Sequence, residues 1–291
     1  MTTLTRILAA TDFSADAMVA VQRAASLAQE HDASLTVLNV VSEPSVVQLR
    51  LGLRAGADVE KMLVGDARHS MQTLLASLPA EIAGRVNARV EVGAVLDTLL
   101  AAMERADLLV VGPRGLHPTQ SLFLGSTAER LLARMTRPVL VAKAVTASYR
   151  RVIVPVDFSP HSATAIALAR ALAPQAEIEV LHAFECPYES RLQLAGVDQT
   201  SIEGYRRDAA AAARSALDAL LSSLCASLPS SVAEGDPRDA IAKHAADNAA
   251  DLIVMGKHGR SMLGEFFLGG TTRAVLARAA CDVLVVPEAR K

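Results

Sequence analysis

Apolar positions along the chain follow two alternating rhythms. Short unbroken apolar runs of strand length are separated by longer stretches in which apolar residues return every three or four positions. The first rhythm predicts buried strands and the second predicts amphipathic helices. In the first half, strands are predicted near 5–11, 34–41, 86–92, 107–112 and 138–143, with helices near 15–31, 58–78, 95–105 and 125–135. In the second half, strands are predicted near 151–156, 177–184, 231–234, 251–256 and 282–287, with helices near 160–173, 202–227, 238–249 and 269–279. Runs 107–112 and 251–256 each start at an Asp and continue almost wholly apolar, which suits parallel strands covered on both faces.

The helical periodicity is concrete. Met18, Val21, Ala25 and Ala28 share one face of the first helix, and Leu217, Leu220, Leu221 and Leu224 share one face of a later one. Ser14 stands where an N-cap is needed, and Ser159-Pro160 supplies an N-cap followed by proline at the first helical position. Segments 43–60 and 185–204 lack clear periodicity and differ between the halves, so they are predicted as irregular loops over the ligand side.

The pattern occurs twice. Arg6-Ile7-Leu8-Ala9-Ala10-Thr11-Asp12-Phe13-Ser14 matches Arg151-Val152-Ile153-Val154-Pro155-Val156-Asp157-Phe158-Ser159, and Leu108-Leu109-Val110-Val111-Gly112 matches Leu252-Ile253-Val254-Met255-Gly256. Val139-Leu140-Val141 returns as Val283-Leu284-Val285. A period of half the chain predicts two copies of one unit. The boundary falls between Val145 and Tyr149, giving domains 1–146 and 147–291. Strand–helix alternation within each predicts an α/β fold of two tandem, doubly wound, parallel five-stranded sheets. In such sheets ligands sit beyond the carboxyl ends of the strands, where the winding reverses. Asp12, Asp157, Gly112 and Gly256 all lie at such ends.

Composition narrows the chemistry. The 291 residues are 51% hydrophobic, with 3% aromatics and no tryptophan, so the cores are built from Ala, Val, Leu and Ile. The formal net charge is -2 and no run of Lys or Arg occurs, which argues against nucleic-acid and membrane-surface partners. Cys186, Cys225 and Cys281 are odd in number and widely spaced, so they suggest neither a disulfide framework nor a metal site, and fit a reducing cytoplasm. The apolar run from Leu4 to Ala10 recurs in mid-chain, so it is read as a strand rather than a targeting signal.

Each half also carries Gly-x-x-Gly followed after nine residues by another Gly. The first copy is Gly112-Pro113-Arg114-Gly115, then Gly125-Ser126-Thr127; the second is Gly256-Lys257-His258-Gly259, then Gly269-Gly270-Thr271-Thr272. The last Gly of each opens a predicted helix. Glycines there permit positive φ or a close approach of backbone to ligand. Free N–H groups and the helix dipole at the helix start together make an anion site. The spacing matches neither a P-loop nor a Gly-x-Gly-x-x-Gly fingerprint.

With an Asp closing the first strand, this constellation resembles the ATP-binding motif of the universal stress protein family, once per half and over nearly the whole chain. The resemblance implies an adenine nucleotide alpha hydrolase-like fold of strand order 3-2-1-4-5. It implies ATP, with or without Mg2+, as cofactor. It places Asp12 and Asp157 beside the adenine, Val40 and Ala183 flanking the base, and phosphates at Gly112, Gly115, Gly125, Ser126 and Thr127, or at Gly256, Gly259, Gly269, Gly270 and Thr271. Family dimers pair through their fifth strands, so the halves are expected to pair within one chain as a pseudo-dimer through 138–143 and 282–287. A further homodimer is allowed by the same reading.

The halves depart from the pattern differently. The first keeps Gly-Ser at 125–126 but has Gly93-Ala94-Val95 where the family often has Gly-Asp-Pro. The second keeps Gly235-Asp236-Pro237 but has Gly270 in place of Ser or Thr. The intact phosphate segment favours the first half. Arg114, His117, Lys257, His258 and Arg260 surround the loops as candidate phosphate partners or plain solvated charges, and Phe123, Phe266 and Phe267 are read as packing the loops. His31, His69, His161 and His244 show no metal spacing and are read as surface residues; His182 is read as a core or boundary residue. The expected function is a nucleotide-binding stress-response regulator without dedicated catalytic machinery. The alternatives are a nucleotide-free scaffold or binder of an apolar ligand and, less favoured, a slow ATPase or autophosphorylating protein.

Overall fold

The computed structural model describes residues 4–53, 58–116, 124–144, 148–187, 189–258 and 267–287. The first half runs β1 (Arg6–Ala10), α1 (Ala15–Glu30), β2 (Ser34–Ser42), α2 (Glu43–Leu53), α3 (Asp58–Ala76), α4 (Ala80–Ala83), β3 (Val86–Gly93), α5 (Val95–Met103), β4 (Leu108–Val111), α6 (Ser126–Arg134) and β5 (Val139–Val141). The second runs β6 (Arg151–Pro155), α7 (Pro160–Leu172), β7 (Glu177–Phe184), α8 (Glu189–Leu194), α9 (Gln199–Ser223), β8 (Ser230–Glu234), α10 (Pro237–Asp247), β9 (Leu252–Gly256), α11 (Gly270–Arg278) and β10 (Asp282–Val286).

The strands form one sheet in the order β3-β2-β1-β4-β5-β10-β9-β6-β7-β8. Each half contributes five strands, and every pairing within a half is parallel. The halves meet where β5 pairs antiparallel with β10, Leu140 opposite Leu284. The central strands β4, β5, β9 and β10 show hardly any exposed side chain, as their unbroken apolar runs require.

Two apolar layers cover the sheet, one per face, and each continues through both halves. One carries Ala9, Val37, Val110, Val154, Val254 and Leu284 against α1, α3, α7 and α9. The other carries Leu8, Leu109, Val141, Ile153, Ile253 and Val285 against α5, α6, α10 and α11. Helices following β1 and those following β3 therefore lie on opposite faces. The winding reverses between neighbours β1 and β4, and again between β6 and β9. In doubly wound sheets such reversals are where ligand crevices form.

An Asp in front of the fourth strand of each half fastens the start of the first. Asp107 Oδ2 accepts from the N–H groups of Thr5 and Arg6 at 3.0 and 2.9 Å. Asp251 accepts from the N–H groups of Arg150 and Arg151 at 2.8 and 3.2 Å.

The seam holds a buried polar network that occurs once. Arg23 Nε reaches Asp282 Oδ2 at 2.9 Å with both side chains 1% exposed. The Tyr149 hydroxyl donates to the same oxygen at 2.8 Å, and Arg23 lies over the Tyr149 ring at 4.5 Å. Asp282 Oδ1 accepts from the Lys143 N–H at 2.7 Å. Lys143 Nζ donates to Leu276 O and Ala279 O, carbonyls at the end of α11. Burial pushes the Cys281 thiol up to about 11, so it stays protonated at neutral pH.

Two expectations are corrected. Segments 43–60 and 185–204 are not loops throughout: α2 and α8 lie in them, and α9 starts at Gln199, before the predicted 202, on an Asp198 cap. Helix α2 leaves Val47, Leu49 and Leu51 exposed, so its apolar residues do not gather on one buried face and the helical period is blurred. Ser159 occupies the N-cap of α7, but its side chain caps nothing. Ser14, by contrast, accepts from the Ala17 N–H at 3.2 Å.

Candidate functional site

The turn after the first strand has the same shape in both halves. Phe13 and Phe158 hold φ of 65 and 62, left-handed values that bulky side chains rarely adopt. The turn is supported from the second strand. Asn39 Nδ2 donates to Thr11 O at 2.9 Å, and at the matching place His182 Nδ1 donates to Val156 O at 2.8 Å. That bond fixes His182 in place, and its ring stacks on Phe158 with centroids 4.2 Å apart.

The glycines work through space rather than through positive φ. Among the described residues only Gly196 and Gly235 have positive φ, and neither belongs to the motif. Gly125 and Gly269 are extended N-cap residues with φ of -68 and -58. A Cβ on Gly112 would stand 2.7 Å from the α1 backbone at Asp16, so Gly112 lets strand and helix approach. A Cβ on Gly115 would stand 2.5 Å from Asp12 Oδ2. At Gly270 no atom lies within 4 Å of the Cβ position, which is open space at the start of α11. The N-cap residues of α6 and α11 are Gly125 and Gly269, which have no side chain to cap the first turn. Ser126 and Thr127 are exposed at the start of α6, and Thr271 is half-buried at the start of α11.

Beyond the strand ends the halves diverge. In the first, Asp12 Oδ1 accepts from the Ser14 N–H at 3.0 Å and Oδ2 from the Leu116 N–H at 2.7 Å. Arg114 Nε pairs with Asp16 Oδ2 at 3.0 Å. The Gly125 N–H donates to Pro113 O at 2.8 Å, a bond that the second half shares. Val40 is half-buried at the end of β2.

In the second half a cavity of about 240 Å³ opens between β6, β9 and the starts of α7, α10 and α11. Asp157, Ala183, Gly256 and Thr271 line it, which brings four predicted residues to one space. Asp157 Oδ1 accepts from the Ser159 N–H at 3.0 Å and the Ser162 hydroxyl at 3.2 Å. Asp157 Oδ2 is buried without a hydrogen-bond partner among the described residues. The Gly269 N–H donates to Lys257 O at 3.0 Å, and the Thr272 hydroxyl donates to Gly256 O at 2.9 Å. Gly259, His117, Phe123, Arg260 and Phe266 lie outside the described residues.

His161 is not the surface residue expected of it. It is half-buried, lines the cavity, and has Nδ1 buried without a partner among the described residues. Ser159, His182 and His258 also line the space. The signal for His161 was its place at the second position of α7, directly behind the strand-end Asp, where a helix start turns its side chains toward the crevice. His31 instead bridges the halves through Nε2 and Leu172 O at 2.9 Å, and His244 pairs with Glu179 at 3.1 Å.

Elsewhere Cys186, Glu189 and Glu234 offer ligand atoms within 4.8 Å of one another. Arg206 already supplies the cation there: its Nε lies 2.9 Å from Glu189 and 3.4 Å from Glu234. No helix among the described residues is long and apolar enough to cross a membrane.

Comparison with known proteins agrees with the duplication. A universal stress protein of Mycolicibacterium smegmatis is 28% identical over 300 residues, covering 96% of each chain. One from Thermus aquaticus is 31% identical over 140 residues, covering 47% of this chain and 98% of its own. The crystal structure of a universal stress protein from Archaeoglobus fulgidus shares the fold with a TM-score of 0.70 at 20% identity, covering 97% of this chain and 96% of its own. The model of the Universal stress protein family matches residues 3–143 and again 148–287, and the chain belongs to that family.

Proposed function

We propose that this protein binds an adenine nucleotide, ATP with or without Mg2+, and acts as a stress-response regulator whose binding state alters its contacts. The observation that carries the reading is the second-half cavity. It lies where the sheet's winding reverses, the start of α11, whose N-cap is a glycine, borders it, and Asp157, whose Oδ2 has no hydrogen-bond partner among the described residues, lines it. Asp157 and Ala183 would border the base, and Gly256, Gly259, Gly269, Gly270 and Thr271 the phosphates. Asp12, Val40, Gly112, Gly115, Gly125, Ser126 and Thr127 form the matching frame in the first half. In this reading domains 1–146 and 147–291 pair within the chain, a homodimer forms only through other surfaces, and the protein works in the cytoplasm.

Turnover is not part of the proposal. Among the described residues around the cavity, Asp157 is the one carboxylate, so no acid–base carboxylate pair is assembled there.

The test uses freshly purified full chain, heat-denatured to release small molecules. Adenine nucleotide in stoichiometric amount, or saturable binding of added Mg-ATP, supports the reading. Neither nucleotide nor binding sinks it and leaves an apolar ligand or a scaffold. Steady hydrolysis of ATP that one side-chain substitution abolishes replaces it with an enzyme.

A further inference from the structure

The two halves share one frame, but the side chains at its mouth differ in kind. In the first half both carboxylate oxygens of Asp12 are engaged from within the chain, and the Leu116 amide that closes on Oδ2 belongs to the glycine loop itself. Beside it Arg114 and Asp16 neutralise each other. In the second half the places of Asp16 and Arg114 are taken by His161 and His258. A carboxylate that repels phosphate is exchanged for an imidazole that can donate to it.

Polar satisfaction differs in the same direction. Five buried side-chain atoms among the described residues lack a hydrogen-bond partner, and three of them belong to residues that line the second-half cavity: Asp157 Oδ2, Ser159 Oγ and His161 Nδ1. Buried polar groups are normally paired, and leaving one unpaired is costly. Three in the wall of one cavity call for a ligand with matching polar atoms. A carboxylate oxygen needs a hydroxyl or amine donor, while a hydroxyl and an imidazole nitrogen can donate to oxygens. Ser159 fits this role because its side chain, at an N-cap, has left the capping bond unmade.

We infer that the chain uses one ligand site, in its second half. Ser159 and His161 are contact residues of that site for the hydroxyl and phosphate oxygens of a nucleoside phosphate, and the first half is held shut by its own Asp12. The inference rests on the nucleotide reading above and adds to it the stoichiometry and two further residues.

Titration calorimetry of the full chain with Mg-ATP tests it, with thermal melting of every variant as the folding control. Wild type is expected to bind a single nucleotide per chain. Ser159→Ala and His161→Ala each weaken binding roughly tenfold, the scale of one lost hydrogen bond to a charged group. His161→Asn, which keeps a donor close to the Nδ1 position, recovers most of the affinity, and His161→Asp loses more than His161→Ala. Asp16→Ala, the first-half counterpart, leaves affinity and stoichiometry unchanged. Binding of two nucleotides per chain overturns the inference alone, as does unchanged affinity in Ser159→Ala and His161→Ala with intact melting. A complete lack of Mg-ATP binding by wild type overturns the nucleotide reading together with it.

Discussion

The first half keeps the complete glycine motif, Gly-Ser-Thr at the start of α6, yet its loop closes on Asp12 through the Leu116 amide. The second half has lost the motif's hydroxyl at Gly270, yet an open cavity stands in front of its strand ends. The difference teaches that a motif and a site are separable properties. The motif's glycines serve backbone packing as much as any ligand: Gly112 is set by the approach of α1 whether or not anything binds. What sets the second half apart is a set of buried polar side-chain atoms without hydrogen-bond partners among the described residues. Duplication frees one copy from a shared constraint while the other keeps it, because each copy still needs the same packed frame.

The seam that joins the copies gives the largest expected effect. Arg23, Tyr149 and Lys143 all depend on Asp282, and nothing equivalent exists at the matching position of the first half, which is Pro138. Asp282→Ala removes the carboxylate that pairs with the buried Arg23 guanidinium. Breaking a buried pair in this way costs about 3–5 kcal/mol. Urea denaturation followed by circular dichroism is expected to show that loss, with the transition splitting into two as the halves uncouple. A loss under about 1 kcal/mol would mean that water reaches the seam and that the network is not what fixes the halves together.

A medium effect separates the glycine loops. Gly112→Ala drives a Cβ against the backbone of α1 at 2.7 Å, where no side chain can move aside. Overpacking of this kind costs about 1–3 kcal/mol. Gly256→Ala meets His258 O at 3.3 Å and the His161 Cβ at 3.5 Å, contacts that small shifts relieve. Chemical denaturation of both variants is expected to show a clear loss for Gly112→Ala and a smaller one for Gly256→Ala. Equal losses would show that the loops are packed alike and that the contrast between the halves lies elsewhere.

Much of this was legible in the sequence because it depends on period and repetition. The five strands of each half, the long helices and the duplication all follow from apolar spacing, which burial on both sheet faces enforces. The role of the Asp before the fourth strand was not legible: its residue was visible, its bonds to the start of the first strand were not. Helix α2 was missed because Val47, Leu49 and Leu51 are exposed and break the period. His161 was misplaced, and the unmade capping bond of Ser159 was missed, for a different reason. A lone His and an N-capping Ser each have a common bland use, and only the closure of strand, helix and loop around one cavity shows them unpartnered. Open space cannot be read from spacing, so the intact motif of the first half says nothing of the cavity at the strand ends of the second.

Gly270→Ser returns the hydroxyl that the second half lacks. The position faces open space at the first turn of α11, so the side chain enters without strain. One added donor at a helix start is expected to raise nucleotide affinity roughly fivefold, below the full value of a buried charged hydrogen bond because the position is exposed. Thermal melting is expected to rise slightly, since glycine is a poorer helix residue than serine. Unchanged Mg-ATP affinity would remove the start of α11 from the binding surface.

The smallest effect compares the two clasps that tie the first strands. Burial pushes the Asp107 carboxyl up, but hydrogen bonds from Arg6 and Thr5 outweigh it and hold its pKa at about 2, against 3.8 for an ordinary aspartate. Asp107 also takes the Thr5 hydroxyl at 2.8 Å and Arg6 Nη2 at 3.0 Å, whereas Asp251 binds only main-chain amides among the described residues. A depressed carboxyl pKa means that the unfolded chain binds the proton first on acidification. The stabilisation is therefore complete above pH 3.8 and is lost as the pH falls from there through about 2. Asp107→Asn removes the titration while keeping the shape. Its denaturation midpoint is expected to lie below that of wild type at pH 6, and the gap should close as the pH falls toward 2. A gap that stays constant across that range would show that the clasp works by shape and packing, with the charge on Asp107 contributing nothing.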